Sequence, residues 1–366
     1  GPGASDPAAI GQSDPGHPFL ASLIALPGEE GWLATGRVSR REHPWLVEHM
    51  VLGSAILPGT GFVELALKAA EIAGLGAVTE LAIEAPLPIP DSGAVALQLR
   101  IGPQDDQGER SLEIHSRPEG DPEAEWTRHA SGTLGPEISA TASQGLAQWP
   151  PEGAQALDLS DFYERAAELG IDYGPAFQGL KAAWRRGSEL FAEVELDPET
   201  AAEAGSFAVH PALLDAAVHS QLVSLFEDGR LRVPFTATGA TLEASGPSAL
   251  RVRLAPAEEV ADALSLLACD PSGSPVIEAR ALLTRPVDPE QLQLGRGTKA
   301  ALYRVAWSPA PLPEAAGEED EAPEPLRLKT DPDLDPPAAA KALCEQALAA
   351  LQEAIAEEPA EGGEPR

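Results

Sequence analysis

The chain has 366 residues, 43% of them hydrophobic and 23% charged, with a formal net charge of −33. That length is ample for a buried core. The excess of acid argues against nucleic acid and against an anionic membrane surface, both of which reward Lys and Arg. No apolar run approaches the ~20 residues of a membrane helix, and no basic stretch followed by an apolar run marks a secretory signal. Cys269 and Cys344 stand apart, without CxxC spacing. They fit a reducing, cytoplasmic setting and offer neither a disulfide framework nor a zinc site.

Gly1-Pro2-Gly3 reads as a protease scar and residues 1–15 as a leader. A first block, 16–135, follows, in which 32–38, 81–85, 94–101, 111–117 and 126–134 read as short strands bounded by Gly, Pro or acidic turns. Among them Phe62, Leu65, Ala66, Ala69 and Ile72 recur at helical spacing, predicting a helix over 62–73 that Gly74 can end. Residues 136–157, with Pro136, Pro150 and Pro151, have linker composition. A second block, 158–288, repeats the plan. A short helix over 161–169 has Ser160 as N-cap and Gly170 as stop. Strands are predicted at 180–185, 190–196, 240–244, 250–255, 265–269 and 276–284. An apolar helix over 211–226 carries Leu213, Leu214, Ala217, Val218, Leu222 and Leu225 on its face. Each half reads as several strands around one apolar helix, an α+β plan that a strongly curved antiparallel sheet satisfies. From Pro309 the tail holds fifteen acids against four bases, a solvated and partly disordered stretch with a helix candidate at 341–356.

Three segments carry residues suited to chemistry. His49 precedes a loop punctuated by Gly53, Pro58 and Gly59 that enters the helix at Phe62. Backbone N–H groups at such a helix start can receive a carbonyl oxygen, and neutral histidine takes a proton near pH 7. Taken alone, that loop is better explained by a histidine satisfied in a turn, which is also the reading of His17 and His43, each before a proline. Asp215 and His219 lie four apart on one helical face among apolar neighbours. A carboxyl group there is expected to have a raised pKa and to stay protonated, held by His219; a surface ion pair is the plainer alternative. Tyr173-Gly174-Pro175-Ala176-Phe177 combines a phenol, a tight turn and an aromatic anchor, and alone reads as a loop with a core Phe. Val233-Pro234-Phe235 is uninformative alone.

Together these segments resemble a known family. His49-x3-Gly53-x4-Pro58, Tyr173-Gly174-Pro175-x-Phe177 and His210-Pro211-x3-Asp215-x3-His219 match, in order, the signature motifs of polyketide synthase dehydratase domains. Val233-Pro234-Phe235 is similar to the fourth motif, Gly16-His17-Pro18-Phe19 to the usual opening, and 302–307 to what usually follows, so the resemblance covers about residues 16 to 308. Two positions depart from the pattern: Glu48 stands where Asp is frequent, and Ala237 where an aromatic residue is usual.

The resemblance implies a double hotdog, two curved sheets each cradling a helix, in a domain that pairs as a homodimer within a larger synthase. It implies a β-hydroxyacyl thioester substrate on the phosphopantetheine arm of an acyl carrier protein, with no cofactor and no metal. His49 is then the base at the α-carbon and Asp215 the acid at the leaving hydroxyl. His219 and Tyr173 support them, the Gly59 N–H receives the thioester carbonyl, and Gly53, Pro58, Pro175, Phe177, Pro234 and Phe235 line a substrate tunnel. His49, Asp215, His210 and His219 as metal ligands explain the spacing less well, and His210 reads as a structural cap. The tail, 289–366, is similar to a linker and the truncated start of a ketoreductase structural region, and it lacks the GxGxxG of a nicotinamide site. Double-bond migration or oxygen-ring closure on the same site is the near alternative. A non-catalytic or carrier-docking domain and a hotdog thioesterase are the distant ones.

Overall fold

The computed structural model describes residues 7–27, 31–121, 123–136, 146–222, 232–258 and 260–286, together with Gln346. In chain order the first half holds β1 (Ser22–Leu26), β2 (Gly31–Val38), β3 (His49–Val51), β4 (Ser54–Ala55), α1 (Gly59–Ala73), β5 (Ala77–Ile83), β6 (Val95–Gln104), β7 (Arg110–Pro118) and β8 (Thr127–Gly135). The second half holds β9 (Gln155–Ala156), α2 (Phe162–Glu168), β10 (Ile171–Tyr173), β11 (Leu180–Arg186), β12 (Glu189–Glu195), α3 (Pro198–Ala201), α4 (Pro211–His219), β13 (Arg232–Leu242), β14 (Ala249–Pro256), β15 (Leu264–Cys269) and β16 (Pro275–Pro286).

Thirteen strands join in one antiparallel sheet, in the order β1-β2-β6-β7-β8-β5-β13-β16-β15-β14-β12-β11-β9. Along β6 and β7 buried and exposed residues alternate, because successive side chains point to opposite faces and only one face meets the core. That inner face wraps α1, which packs on β5, β6, β7 and β8. The second half wraps α4 in the same way, through β11, β12 and β14. All nine residues of α4 are buried, as a helix apolar on nearly every side must be. The halves meet along β5 and β13, where Ala82 pairs with Thr236 and Leu81 with Ala237. The three short strands β10-β3-β4 form a separate sheet that carries His49 and Tyr173.

Several boundaries differ from expectation. Helix α1 begins at Gly59, three residues early, because Pro58 adopts an extended backbone and serves as N-cap. Gly74 ends it as expected, in the left-handed conformation, its N–H reaching the Ala70 and Glu71 carbonyls. Ser160 does not cap α2; Asp161 takes that place, without a side-chain hydrogen bond. Helix α4 stops at His219, so Leu222 lies past its end, and Leu225 falls outside the described residues. The expected linker is partly built in: Gln155 and Ala156 pair with β11, and Leu146 and Trp149 pack with Leu267 and Cys269. Ser13, expected in a leader, bridges to Leu23. The tail lies outside the described residues apart from Gln346.

Candidate active site

The β3–β4 hairpin explains how His49 is held. Leu52 and Gly53 turn the chain with positive φ (49° and 74°), a conformation that Gly takes without strain. The return strand brings Ile56 back to His49, so the Ile56 N–H meets the His49 carbonyl at 3.2 Å. The Ile56 carbonyl lies 3.1 Å from His49 Nδ1. A carbonyl can only accept, so Nδ1 carries the proton and Nε2 keeps its lone pair. Phe177 packs beside the ring, with centroids 5.1 Å apart.

Nε2 faces Asp215 Oδ2 at 4.0 Å, and both side chains are buried. His219, one turn along α4, places Nε2 2.8 Å from the same oxygen. Tyr173 pairs with His49 in backbone register, and its ring lies 4.3 Å from that of His219 and 5.8 Å from that of His49. One histidine, one carboxyl group, a second histidine and a phenol thus converge from both halves.

Burial pushes the His49 imidazole below its ordinary value, against the Asp215 charge and the Ile56 carbonyl, so it is neutral and basic at pH 7. Burial, and then the Asp215 charge, holds Tyr173 well above the usual phenol value, as a donor. Asp215 departs from expectation. Burial does push its carboxyl up, but the His219 hydrogen bond and the two neighbouring histidines outweigh it and hold the group below the ordinary carboxylate value. The apolar surroundings and the His219 contact were legible in the sequence; that these contacts outweigh burial was not.

Comparison with known proteins fits this geometry. A family model described as "Polyketide synthase dehydratase domain" matches residues 17–117, and one described as "Polyketide synthase dehydratase N-terminal domain" matches 141–294. The crystal structure of the dehydratase domain from the terminal module of the rifamycin polyketide synthase is 44% identical. It superposes with a TM-score of 0.72 over 77% of this chain and 100% of that one. The chain belongs to the polyketide synthase dehydratase domains. The bifunctional dehydratase-cyclase domain of ambruticin biosynthesis is 41% identical, with a TM-score of 0.70 over 76% of this chain and 98% of that one. Polyketide synthase GfsA of Streptomyces halstedii is 44% identical over 316 residues, 85% of this chain. The chain spans only 4% to 8% of the length of the first curated relatives it matches.

The dehydratase domain has the double-hotdog fold of these neighbours, and its enzyme class is hydro-lyase. The other sequence-selected residues are spread more widely. Gly59 opens α1, so its N–H belongs to the first turn, which has no intrahelical acceptor. Gly53 is exposed at the hairpin tip and Pro175 is exposed at the start of a turn; both shape loops. Phe235 sits at a bulge in β13 with Arg285 4.6 Å above its ring, and the Pro234 backbone pairs with Thr284. Ala237 is buried between Leu81 and Leu282 in the sheet. His210 caps α4, its Nδ1 accepting from the Ala212 N–H, and packs against Trp45 and Phe207.

Sequence reasoning missed two supports. Glu48 accepts from the Ala176 N–H at 2.6 Å, and its carbonyl accepts from Gly174 N–H at 2.8 Å, tying the Tyr173 loop to the strand that carries His49. Tyr163, on α2, accepts from the Leu180 N–H and closes the aromatic wall around His219. The acid adjoining His49 was the available signal for the first. Nothing local marked the second.

Proposed function

We propose that the domain eliminates water from a β-hydroxyacyl thioester, carried on the phosphopantetheine arm of an acyl carrier protein, to give the α,β-enoyl thioester. The observation that carries this is the His49 Nε2 lone pair facing Asp215 Oδ2 at 4.0 Å in a buried site. His49 takes the α-proton, which the thioester acidifies, and the Gly59 N–H stabilises the enolate oxygen that develops. The C–O bond at the β-carbon breaks as Asp215 gives its proton to the departing hydroxyl, which leaves as water. The Tyr173 hydroxyl steadies that oxygen, and His219 orients the carboxyl group. Pro58, Phe177, Pro234 and Phe235 are assigned to the walls of the acyl channel.

Asp215 must hold a proton for that step, although its two neighbouring histidines favour the carboxylate. An acyl chain docked against His49 and Asp215 removes the water that still reaches them. Since burial is what opposes the carboxylate, filling the space shifts the shared proton toward Asp215 and leaves His49 neutral. After elimination the imidazolium returns its proton to the carboxylate across the same gap. No redox cofactor or metal enters the scheme. The domain is assigned to a cytoplasmic synthase, as a homodimer served by its own carrier protein; among the described residues no helix is long and apolar enough to cross a membrane.

The test is the mass of a β-hydroxyacyl carrier protein after incubation with wild type, His49→Ala and Asp215→Asn. Loss of one water with wild type alone supports the scheme; an unchanged hydroxyl with wild type overturns it. The likeness to a dehydratase-cyclase domain favours one second reading, ring closure after dehydration. An isobaric product without a conjugated alkene would identify it.

A further inference from the structure

Two side chains of α1, Thr60 and Glu64, fasten it to the start of α4 and the residues just ahead of it, and neither belongs to the catalytic group. Thr60 Oγ1 donates to the Pro211 carbonyl at 2.9 Å, in a buried position. In an α-helix that carbonyl is the partner of the N–H four residues on, which is the N–H of Asp215. Four residues along α1, Glu64 is 0% exposed, an unusual place for a carboxylate. Its two oxygens accept from the Ala208 N–H at 2.8 Å and the Val209 N–H at 3.0 Å, just ahead of the cap of α4. His17 completes the arrangement: its Nδ1 accepts from the Phe19 N–H, so Nε2 carries the proton and faces Glu64 Oε1 at 3.5 Å. This second histidine–carboxylate pair is committed to backbone groups and holds no spare reach for a substrate.

We propose that Thr60 and Glu64 are positioning residues that set Asp215 against the start of α1 and against His49. This rests on the function proposed above. The carbonyl and the β-hydroxyl of the substrate lie on carbons two bonds apart, so the Gly59 N–H and Asp215 must keep a fixed spacing to act on both at once. Gly59 and Thr60 are adjacent, so the hydrogen bond to Pro211 ties that spacing directly. A displacement of about 1 Å in such a constellation lowers the rate about a hundredfold.

The experiment compares Thr60→Val, Thr60→Ser and Glu64→Gln with wild type and Asp215→Asn, on a carrier-bound β-hydroxyacyl substrate. Thr60→Val keeps the shape of the side chain and removes the donor. Its kcat is expected to fall about tenfold or more, with KM within about twofold, the alkaline limb of the pH profile displaced and the Tm nearly unchanged. Thr60→Ser restores the wild-type rate and profile. Glu64→Gln, which turns an acceptor into a donor facing an N–H, lowers kcat in the same manner if it folds. Wild-type kcat and an unmoved profile in Thr60→Val would overturn the proposal. So would a loss that tracks Tm and is not rescued by Ser. If Asp215→Asn is as active as wild type, the catalytic assignment fails instead, which separates the two outcomes.

Discussion

His210 makes the stability of this fold depend on pH in a way that can be worked from its surroundings. Its ring is fully buried between Trp45 and Phe207, Nδ1 accepts the Ala212 N–H, and Nε2 has no hydrogen-bond partner among the described residues. A second proton would have to sit on Nδ1, facing an N–H and destroying the helix cap. Burial, with His43 nearby and only partly offset by Asp197, lowers the imidazole from 6.5 to about 3. In the unfolded chain the same ring takes up its proton below about 6.5. The contribution to stability is therefore complete above that value and is lost as the pH falls toward the folded value. At about 1.4 kcal/mol for each pH unit, the loss reaches about 2 kcal/mol by pH 5 and up to about 5 kcal/mol near pH 3. For a domain of this size 2 kcal/mol corresponds to a fall in Tm of about 4 to 8 °C. Thermal or urea unfolding between pH 7 and pH 5 measures it, with His210→Asn as the comparison. Asn can cap the helix and does not titrate. The variant is less stable throughout because the ring packing is gone, but its curve is flatter over that range. Parallel curves would refute the assignment of the acid sensitivity to His210.

Three further outcomes follow from the site. Because burial lowers His49, kcat/KM should hold down through the ordinary imidazole range, its acid limb lying below pH 6.5; a limb above that value would contradict the neutral base. Replacing His219 by Phe removes the hydrogen bond that holds Asp215 low, so burial prevails and the carboxyl moves up. The alkaline limb of kcat then shifts to higher pH while the rate falls, as a pH–rate series would report. A Cβ on Gly174 would stand 2.7 Å from Glu48 Cβ and Cγ. Gly174→Ala should therefore cost about 1–3 kcal/mol by denaturant unfolding and lower kcat by moving Tyr173; wild-type kcat would argue against the Glu48 tie.

Much of this fold is legible in the chain because its signals are local. The apolar positions Phe62, Leu65, Ala66 and Ala69, ended by Gly74, mark α1, and the alternation along β6 and β7 reads directly as one-sided strands. The elements that escaped are short or depend on distant partners. Strands β3, β4 and β10 have two or three residues each and exist because they pair with one another. The reach of β13 back to Arg232 follows from its pairing with β16 along its length and with β5. In the site, His49 and Asp215 stand out by residue type and motif, but their 4.0 Å approach comes from packing between the halves. Glu64 was passed over although it is the one acid among Phe62, Val63, Leu65 and Ala66. An acid on a helix's apolar face signals a buried acceptor, and its partners at Ala208 and Val209 lie 144 and 145 residues away along the chain.

The seam between β5 and β13 has a mechanical meaning. Two halves joined by a flexible strap can part like jaws and close on what they catch, whereas halves stitched edge to edge by backbone pairing resist bending across the stitch. Thr60 and Glu64 add hydrogen bonds from α1 to Pro211, Ala208 and Val209, so the proposed reacting groups are held from both halves. Under the proposed chemistry a tethered acyl chain meets groups already set in place, and the length of its arm, more than any motion of the protein, decides which carbon comes to rest against His49 and Asp215.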